Sequence, residues 1–187
     1  MSWTALLPLK AAGERKTRLA DQLSPAGRDA LTDRLLGHVA GVLRASPLVS
    51  RLVLLSPAPP AGWPGEWLAD SGHGLNAELQ RARRTLTTPV LILHADLPFL
   101  TAADVAALAG AGAGGCAVAP DRHGRGTNAI ALAAATPWTF AFGADSFAAH
   151  RAHGAAIVER DGLAFDLDTP DDLALAIARG LRMEVLP

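Results

Sequence analysis

The stretch Thr88-Pro-Val-Leu-Ile-Leu-His-Ala-Asp-Leu-Pro-Phe-Leu100 decides the fold of this chain. Within it, Val90 to Leu93 is a continuous apolar run, which is typical of a parallel strand that is buried on both faces. Pro98 cannot donate to a ladder of backbone hydrogen bonds, so the strand has to end before it. Asp96 is therefore predicted at the carboxyl end of a buried strand, where ligands bind in open α/β sheets.

The composition is that of a globular protein. The chain has 187 residues, of which 50% are hydrophobic and 19% are charged, and its formal net charge is −1. These values fit one domain with its own core and do not suggest a nucleic-acid-binding protein, which would usually be basic. The single cysteine, Cys116, excludes an intramolecular disulfide and is typical of a reducing compartment. The sequence has no signal-peptide pattern and no apolar run of about 20 residues, so we expect a cytoplasmic protein that does not enter a membrane.

Predicted strands alternate with predicted helices along the chain. Apolar runs predict strands at residues 3–9, 51–55, 90–93, 116–119, 129–133 and 155–159. Helices are predicted at residues 25–44, 102–109 and 171–179, with two more ending near residues 86 and 153. This alternation predicts a single α/β domain over residues 1–187, with a Rossmann-like, mostly parallel sheet and helices on both faces. The run at 129–133 is expected to return as an antiparallel strand.

Charged residues follow several of the predicted strands. The acids are Asp96, Asp166 and Asp168, and the bases of the first loop are Lys10, Lys16 and Arg18. Because the loops after parallel strands gather at one edge of the sheet, we expect these charges to lie together. A Mg²⁺ ion with phosphate groups would satisfy both signs of charge, since Mg²⁺ binds through one or two carboxylates plus substrate phosphates. The alternative is that they are unrelated, solvated surface charges.

Other candidate residues carry weaker signals. Ser71-Gly-His-Gly74 leads into a helix, and glycines there would let a ligand approach unpaired backbone N–H groups, although an ordinary loop fits equally well. The six histidines show no His-Glu-x-x-His pattern, and His150 with His153 is better explained by a solvated helix face than by metal binding. The Cys116 thiol is expected to be buried and inert.

An ordered set of motifs resembles one known family. The motifs are Leu7-Pro-Leu-Lys10, Lys16-Thr-Arg-Leu19, Gly74-Leu-Asn-Ala77, Ala95-Asp-Leu-Pro98, Asp121-x-x-Gly-x-Gly-Thr-Asn128, Phe142-Gly-x-x-Ser-Phe147 with His150, and Phe165-Asp-Leu-Asp-Thr-Pro-Asp-Asp172. Together they resemble the 2-phospho-L-lactate/phosphoenolpyruvate guanylyltransferases of deazaflavin coenzyme biosynthesis. Single motifs occur in many nucleotidyltransferases, whereas the ordered set is much more specific.

The resemblance implies a fold, a reaction and a set of site residues. The fold would be that of the nucleotide-diphospho-sugar transferases and molybdopterin guanylyltransferases, and the reaction would join GMP from GTP to a three-carbon phosphate. Asp96, Asp166 and Asp168 would bind Mg²⁺, and Thr127, Gly143 and Ser146 would hold the carboxylate of the acceptor. The residues implied for nucleotide binding are Lys10, Lys16, Arg18, Gly74, Leu75 and Asn76. Lys10, Lys16 and Asp96 would take part in catalysis.

Several alternatives stay open at the level of sequence. The acceptor is phosphoenolpyruvate, 2-phospho-L-lactate or 3-phosphoglycerate, which differ only at C2 and C3, with phosphoenolpyruvate favoured. A molybdopterin or sugar-phosphate nucleotidyltransferase and a non-catalytic nucleotide-binding module are the other hypotheses. The strictness for guanine and the number of metal ions are not determined, and the oligomeric state is open, with a homodimer as one alternative.

Overall fold

The computed structural model describes residues 2–11 and 13–182 and forms one seven-stranded sheet with helices on both faces. The strands are β1 (Trp3–Pro8), β2 (Val49–Ser56), β3 (Glu66–Ala69), β4 (Val90–Leu93), β5 (Cys116–Pro120), β6 (Thr127–Leu132) and β7 (Ala156–Ile157). The helices are α1 (Pro25–Ala45), α2 (Leu75–Thr85), α3 (Ala102–Gly112), α4 (Ser146–Arg151), α5 (Asp161–Ala164) and α6 (Pro170–Ala178), with a 3₁₀ turn at Thr17–Leu19. Residues 1, 12 and 183–187 of the predicted domain lie outside the described residues.

The sheet is mostly parallel, as predicted. Its strand order is β3-β2-β1-β4-β6-β5-β7. β6 pairs antiparallel with both β4 and β5, and every other pairing in the sheet is parallel. The predicted antiparallel return is thereby confirmed. The chain leaves the centre of the sheet from β1 in one direction and resumes on the other side with β4, so a topological switch point lies between these two strands.

The central strand β4 is buried on both faces because alternate side chains enter two different cores. Leu91 and Leu93 pack into a core with α1 and α3, whereas Val90 and Ile92 pack on the opposite face with α2. All four side chains are fully buried. This explains the unbroken apolar run in the sequence, since a strand covered on both sides has no solvent face for polar residues.

The predicted helix starts are confirmed at the level of hydrogen bonds. The Ser24 hydroxyl accepts from the backbone N–H of Gly27, and Pro25 occupies the first turn of α1. Thr101 and Thr169 each form a reciprocal capping box, with Asp104 and Asp172 as the respective partners. These contacts satisfy backbone N–H groups that a helix cannot pair internally.

The structure also adds the short helix α5, which was not predicted, and departs from the predictions at three other elements. No strand was predicted at β3, which directly follows a proline-rich loop. It pairs with β2 at the edge of the sheet. α3 extends to Gly112 rather than ending at residue 109. β7 contains two residues rather than five. β3 is a four-residue edge strand with mostly exposed side chains, and β7 keeps only two residues of its predicted apolar run in the sheet.

Candidate active site

The loops that follow β1 and β4 meet at the switch point of the sheet. Asp96 lies just beyond β4 and Lys16 lies in the loop beyond β1. A backbone hydrogen bond of 3.0 Å from Leu167 N to the Asp96 carbonyl oxygen joins the late acidic segment to the end of β4. Residues that are far apart in sequence are thus assembled at the edge where α/β proteins bind ligands.

The Lys16 ammonium group lies between two of the predicted carboxylates. Its Nζ atom is 2.5 Å from Asp96 Oδ2 and 3.7 Å from Asp168 Oδ1, and its side chain is only 5% exposed. Arg18 Nη1 contacts the other oxygen of Asp168 at 2.7 Å. The Lys16 backbone adopts a left-handed conformation with φ of 53°. This unusual backbone turns the side chain of a loop residue into the interior of the site.

The surroundings of Asp96 and Asp166 shift the pKa values of the two carboxyl groups in opposite directions. Burial opposes ionisation of Asp96, but attraction to Lys16 and His94 and hydrogen bonding outweigh it, so the pKa of Asp96 is lowered. Burial and then repulsion by Asp96 raise the pKa of Asp166. A hydrogen bond of 3.1 Å from Asn128 Nδ2 to Asp166 Oδ1 partly opposes that rise. Asp166 is therefore the carboxylate that would gain most from an additional positive charge.

The chemistry of these oxygens fits a hard divalent cation. Asp96 Oδ1 is buried and has no hydrogen-bond partner among the described residues, and a buried unpaired carboxylate oxygen is a costly feature that a cation would relieve. In residues 2–11 and 13–182, however, no three His, Cys, Asp or Glu side chains form a ready-made metal cluster. Lys16 takes up the space between Asp96 and Asp168. Two carboxylates and substrate phosphates would suffice for Mg²⁺.

A second polar group lies at the start of β6 and α4. The Thr127 hydroxyl is 2.9 Å from His150 Nδ1 and 3.4 Å from the Ser146 hydroxyl. These three residues are at most 2% exposed. His150 Nε2 accepts a hydrogen bond of 2.9 Å from the backbone N–H of Ala141. Burial, followed by repulsion from His153 and His94, lowers the pKa of His150 to about 4, so its ring is neutral near pH 7.

The segment that contains Gly143 is fixed by Asn76. The Asn76 side chain donates to the Phe142 carbonyl at 2.9 Å and accepts from the Phe142 N–H at 2.8 Å. Gly143 has a φ of 138° and Gly74, at the start of α2, has a φ of 89°, both of which favour glycine. Asn76 therefore connects the start of α2 to the segment before α4. Both polar atoms of its side chain bind the Phe142 backbone, so Asn76 fixes the position of that segment.

The reversed direction of β6 brings the two polar groups together. β6 runs antiparallel to β4, with Ala129 opposite Leu93, so its first residues lie beside the carboxyl end of β4. His94 N donates to the Asn128 carbonyl oxygen at 2.9 Å. Thr127 contacts His150, while the adjacent Asn128 contacts Asp166. Thr127 and Asn128 thus link the cluster of buried hydroxyls to the cluster of carboxylates and cations.

Comparison with known proteins places the chain in a family. The sequence profile described as "Guanylyl transferase CofC like" matches residues 3–181. The chain belongs to this family. It is 40% identical to the phosphoenolpyruvate guanylyltransferase of Rubrobacter xylanophilus, with 96% of each chain covered. It is also 40% identical to the phosphoenolpyruvate guanylyltransferase of Sphaerobacter thermophilus, with 92% of this chain and 91% of the relative covered.

Solved structures confirm the predicted fold. A candidate nucleotide-diphospho-sugar transferase from Desulfovibrio desulfuricans is 18% identical and has a TM-score of 0.72, covering 94% of this chain and 87% of that one. The 2-C-methyl-D-erythritol 4-phosphate cytidylyltransferase of Thermus thermophilus is 24% identical with a TM-score of 0.58, covering 96% of this chain and all of the other. At these identities the likeness concerns the fold.

The structure brings half of the twelve predicted site residues into two sets of direct contacts. Direct contacts join the set Lys16, Arg18, Asp96 and Asp168 and the set Thr127 and Ser146. Lys10 follows β1 with an exposed side chain, and Leu75 is 37% exposed in the first turn of α2. The ligand-binding roles of all these residues stay predictions. In the part of the chain that is described, no helix is long and apolar enough to cross a membrane.

Three residues at the site were not singled out by spacing alone. Asn128 donates to Asp166 and to the carbonyls of Leu163 and Ala164, each at 3.1 Å. His94 lies close enough to Asp96, Asp166 and His150 to influence the pKa of each. The expectation that His150 lies on a solvated helix face is wrong, because its side chain is fully buried. Asn128 and His150 belong to motifs of the resemblance, and His94 directly precedes one, but a motif does not reveal burial.

Proposed function

We propose that this chain transfers GMP from GTP to the phosphate group of phosphoenolpyruvate and releases pyrophosphate, in the cytoplasm and within deazaflavin coenzyme biosynthesis. Membership of the guanylyl transferase CofC-like family supports the reaction class. The names of the relatives from Rubrobacter xylanophilus and Sphaerobacter thermophilus support the choice of acceptor. 2-Phospho-L-lactate and 3-phosphoglycerate are the alternatives that the test below includes.

The observation that carries the proposal is the adjacency of Thr127 and Asn128. Thr127 belongs to a buried pair of hydroxyls with Ser146, which suits a carboxylate. Asn128 donates to Asp166 in the group of carboxylates and cations, which suits a metal ion with phosphates. This arrangement suits an acceptor whose carboxylate and phosphate are a few bonds apart. The hydroxyl pair would bind the carboxylate, and the neighbouring metal site would bind the phosphate.

The acceptor would be held by its carboxylate, with the phosphate directed to the nucleotide. The hydroxyl pair of Thr127 and Ser146 would provide a hydrogen-bond donor, and Gly143 would allow close approach to the backbone. An oxygen of the acceptor's phosphate is the nucleophile and is already ionised near neutral pH. No general base is therefore required, and positioning with charge neutralisation can provide the rate enhancement.

The nucleotide would be held by the basic loop and by the glycine-containing start of α2. Lys10, Lys16 and Arg18 would bind phosphates, with Lys16 exchanging its contact with Asp96 for one with the substrate. The backbone of Gly74–Asn76 would lie against the nucleoside. Asp96, Asp166 and Asp168 would hold Mg²⁺, which would reduce repulsion between the two anionic substrates and stabilise charge on the departing pyrophosphate.

A substrate screen tests the proposed reaction. Each of the four nucleoside triphosphates is combined with phosphoenolpyruvate, 2-phospho-L-lactate, 3-phosphoglycerate or a sugar phosphate, and pyrophosphate release and product mass are measured. The expected result is pyrophosphate release with GTP and phosphoenolpyruvate, together with the mass of the guanylylated acceptor. Efficient transfer only to a sugar phosphate would reject the proposal, as would nucleotide binding without turnover on any acceptor.

Two carboxylate variants test the metal assignment. Asp96→Asn and Asp166→Asn are each expected to lower turnover by at least about 100-fold while the circular dichroism spectrum is retained, because electrostatic groups at a reacting phosphate contribute several kcal/mol. The exposed acid of the first turn of α6 provides a matched control, and Asp171→Asn should keep wild-type turnover. Near-wild-type turnover of either test variant at saturating Mg²⁺ would show that the assignment is wrong.

A further inference from the structure

The fully buried His150 ring has both of its nitrogens in hydrogen bonds of 2.9 Å. The backbone N–H of Ala141 can only donate, so His150 Nε2 has to be the unprotonated nitrogen. The proton of a neutral imidazole is then on Nδ1, which faces the Thr127 hydroxyl. The Ala141 N–H therefore selects the tautomer, because the hydrogen bond of one ring nitrogen sets the state of the other.

This tautomer fixes the direction of the hydrogen bonds at the Thr127–Ser146 pair. Nδ1–H of His150 donates to the Thr127 oxygen and cannot accept from it. The two hydroxyls carry two hydrogens, and their mutual contact of 3.4 Å uses one of them. Ser146 Oγ–H donates to the Thr127 oxygen in that contact, so the O–H hydrogen of Thr127 is left over. The pair therefore presents a hydrogen-bond donor to a ligand, which an anionic oxygen can accept.

The surroundings of the ring hold it in place. The rings of Trp138 and Phe142 lie 5.6 Å and 4.9 Å from His150, centroid to centroid. Phe142 is in turn fixed by its two backbone hydrogen bonds with Asn76. Burial also keeps the ring neutral, with a pKa of about 4. A charged ring would carry a hydrogen on Nε2 and would face the Ala141 N–H with a second donor.

We infer that His150 is a positioning residue for the acceptor, which acts through its Nδ1–H tautomer to leave the Thr127 O–H free as a donor to the acceptor's carboxylate. His150 itself touches no substrate. This inference rests on the proposed function for the identity of the ligand, whereas the tautomer can be measured without any substrate. It predicts tighter binding of a carboxylate than of a neutral group at that position, since the free O–H hydrogen forms its strongest hydrogen bond with a charged oxygen.

Two substitutions separate the two hydrogen bonds of His150. His150→Gln places an amide near the position of Nε2, so it can still accept from Ala141 but loses the donor to Thr127. His150→Asn places its amide near the position of Nδ1, so it can still donate to Thr127 but leaves the Ala141 N–H unpaired. A purely structural role predicts that the more stable variant is also the more active one. The positioning role predicts the opposite order.

The expected result for His150→Gln is an acceptor KM raised about tenfold, because His150 no longer orients the Thr127 hydroxyl and the hydrogen bond from that hydroxyl to the charged carboxylate is weakened. Its kcat, its KM for GTP and its Tm should stay near the wild-type values. His150→Asn should have a lower Tm but an acceptor KM within about threefold of wild type, because the donor to Thr127 is kept. An unchanged acceptor KM in His150→Gln, or acceptor KM values that simply follow Tm, would overturn the inference.

The tautomer is tested directly by nitrogen-15 NMR of the wild-type chain labelled at histidine. At pH 7 the His150 signals should show a protonated Nδ1 and an unprotonated Nε2, with assignment from whichever His150 variant is folded. A protonated Nε2 would overturn the inference without any assay of activity. If wild-type protein transfers GMP to no carboxylate-bearing acceptor, the proposed function fails while the NMR result stands, so the two failures can be told apart.

Discussion

His150 is a titratable side chain inside an aromatic cluster, and its acid–base equilibrium is coupled to folding. Burial is the largest cause of its lowered pKa, with His153 and His94 adding repulsion. A group with a lower pKa in the folded state binds fewer protons there than in the unfolded chain. The stabilising effect of the neutral ring is therefore complete above the unfolded pKa of about 6.5. It is lost as the pH falls toward the folded value of about 4.

This coupling predicts that His150 makes the free energy of unfolding depend on pH. The difference between a pKa of 6.5 and one of about 4 corresponds to at most about 3 kcal/mol. Between pH 7 and pH 4, the free energy of unfolding of the wild type should fall by up to that amount more than that of His150→Gln. Urea unfolding of both proteins across this range provides the measurement. Parallel pH profiles of the two proteins would contradict the prediction.

Helix α3 shows how one element can use two glycines in different ways. A methyl group built on Gly112 would lie 2.4 Å from the Ala131 side chain of β6. A methyl group on Gly110 would meet nothing within 4 Å. Gly112 lets the last turn of the helix pack closely on the sheet. The same strand carries Thr127 and Asn128 at its other end, so this packing also supports the site.

The two glycines provide a matched pair of substitutions. Gly112→Ala should lower the free energy of unfolding by about 1–3 kcal/mol, because the extra methyl overpacks the contact with Ala131. Gly110→Ala should be neutral or stabilise by up to about 1 kcal/mol, because alanine is the better helix former and the site is open. Urea unfolding with circular dichroism measures both. Equal effects of the two substitutions would show that the close approach does not matter.

At the scale of the whole molecule, the site depends on one reversal of strand direction. Parallel strands deliver Lys16 and Asp96 to the switch point from β1 and β4. β6 runs the other way, so its first residues reach the same edge. The acidic segment before α6 is connected there through Leu167. A ligand bound at this edge would contact loops from both halves of the sheet and should stabilise the entire fold.

Ligand binding is therefore expected to raise the melting temperature in a metal-dependent way. At saturating concentrations, GTP with Mg²⁺ should raise Tm by about 5 °C or more, because a ligand that binds only the folded state stabilises it by mass action. Removal of Mg²⁺ with a chelator should abolish most of this increase, and Asp96→Asn should show no metal-dependent part. The Asp171→Asn protein serves as the control. A Tm increase with GTP that is identical with and without Mg²⁺ would contradict the role of the carboxylates.

The sequence by itself determined the elements whose cause is local. The apolar run of β4, the caps at Ser24, Thr101 and Thr169, and the antiparallel return of β6 were all predictable. Each depends on a periodicity or a short hydrogen-bonding pattern that the chain carries within a few residues. The ordered motifs indicated the family in the same way. The edge strand β3 was not predicted, since it has only four residues and directly follows a proline-rich loop.

Only the tertiary structure decided the environment of each site residue. The spacing of residues in the sequence does not show that the Lys16 ammonium lies between Asp96 and Asp168. It also does not show that the pKa of Asp166 is raised, or that His150 is buried against Thr127. These features depend on contacts between residues 23 to 152 positions apart in the chain. Sequence pattern specifies which groups are available, but burial and the partner of each hydrogen bond decide their charge and direction, and those are set only when the sheet assembles.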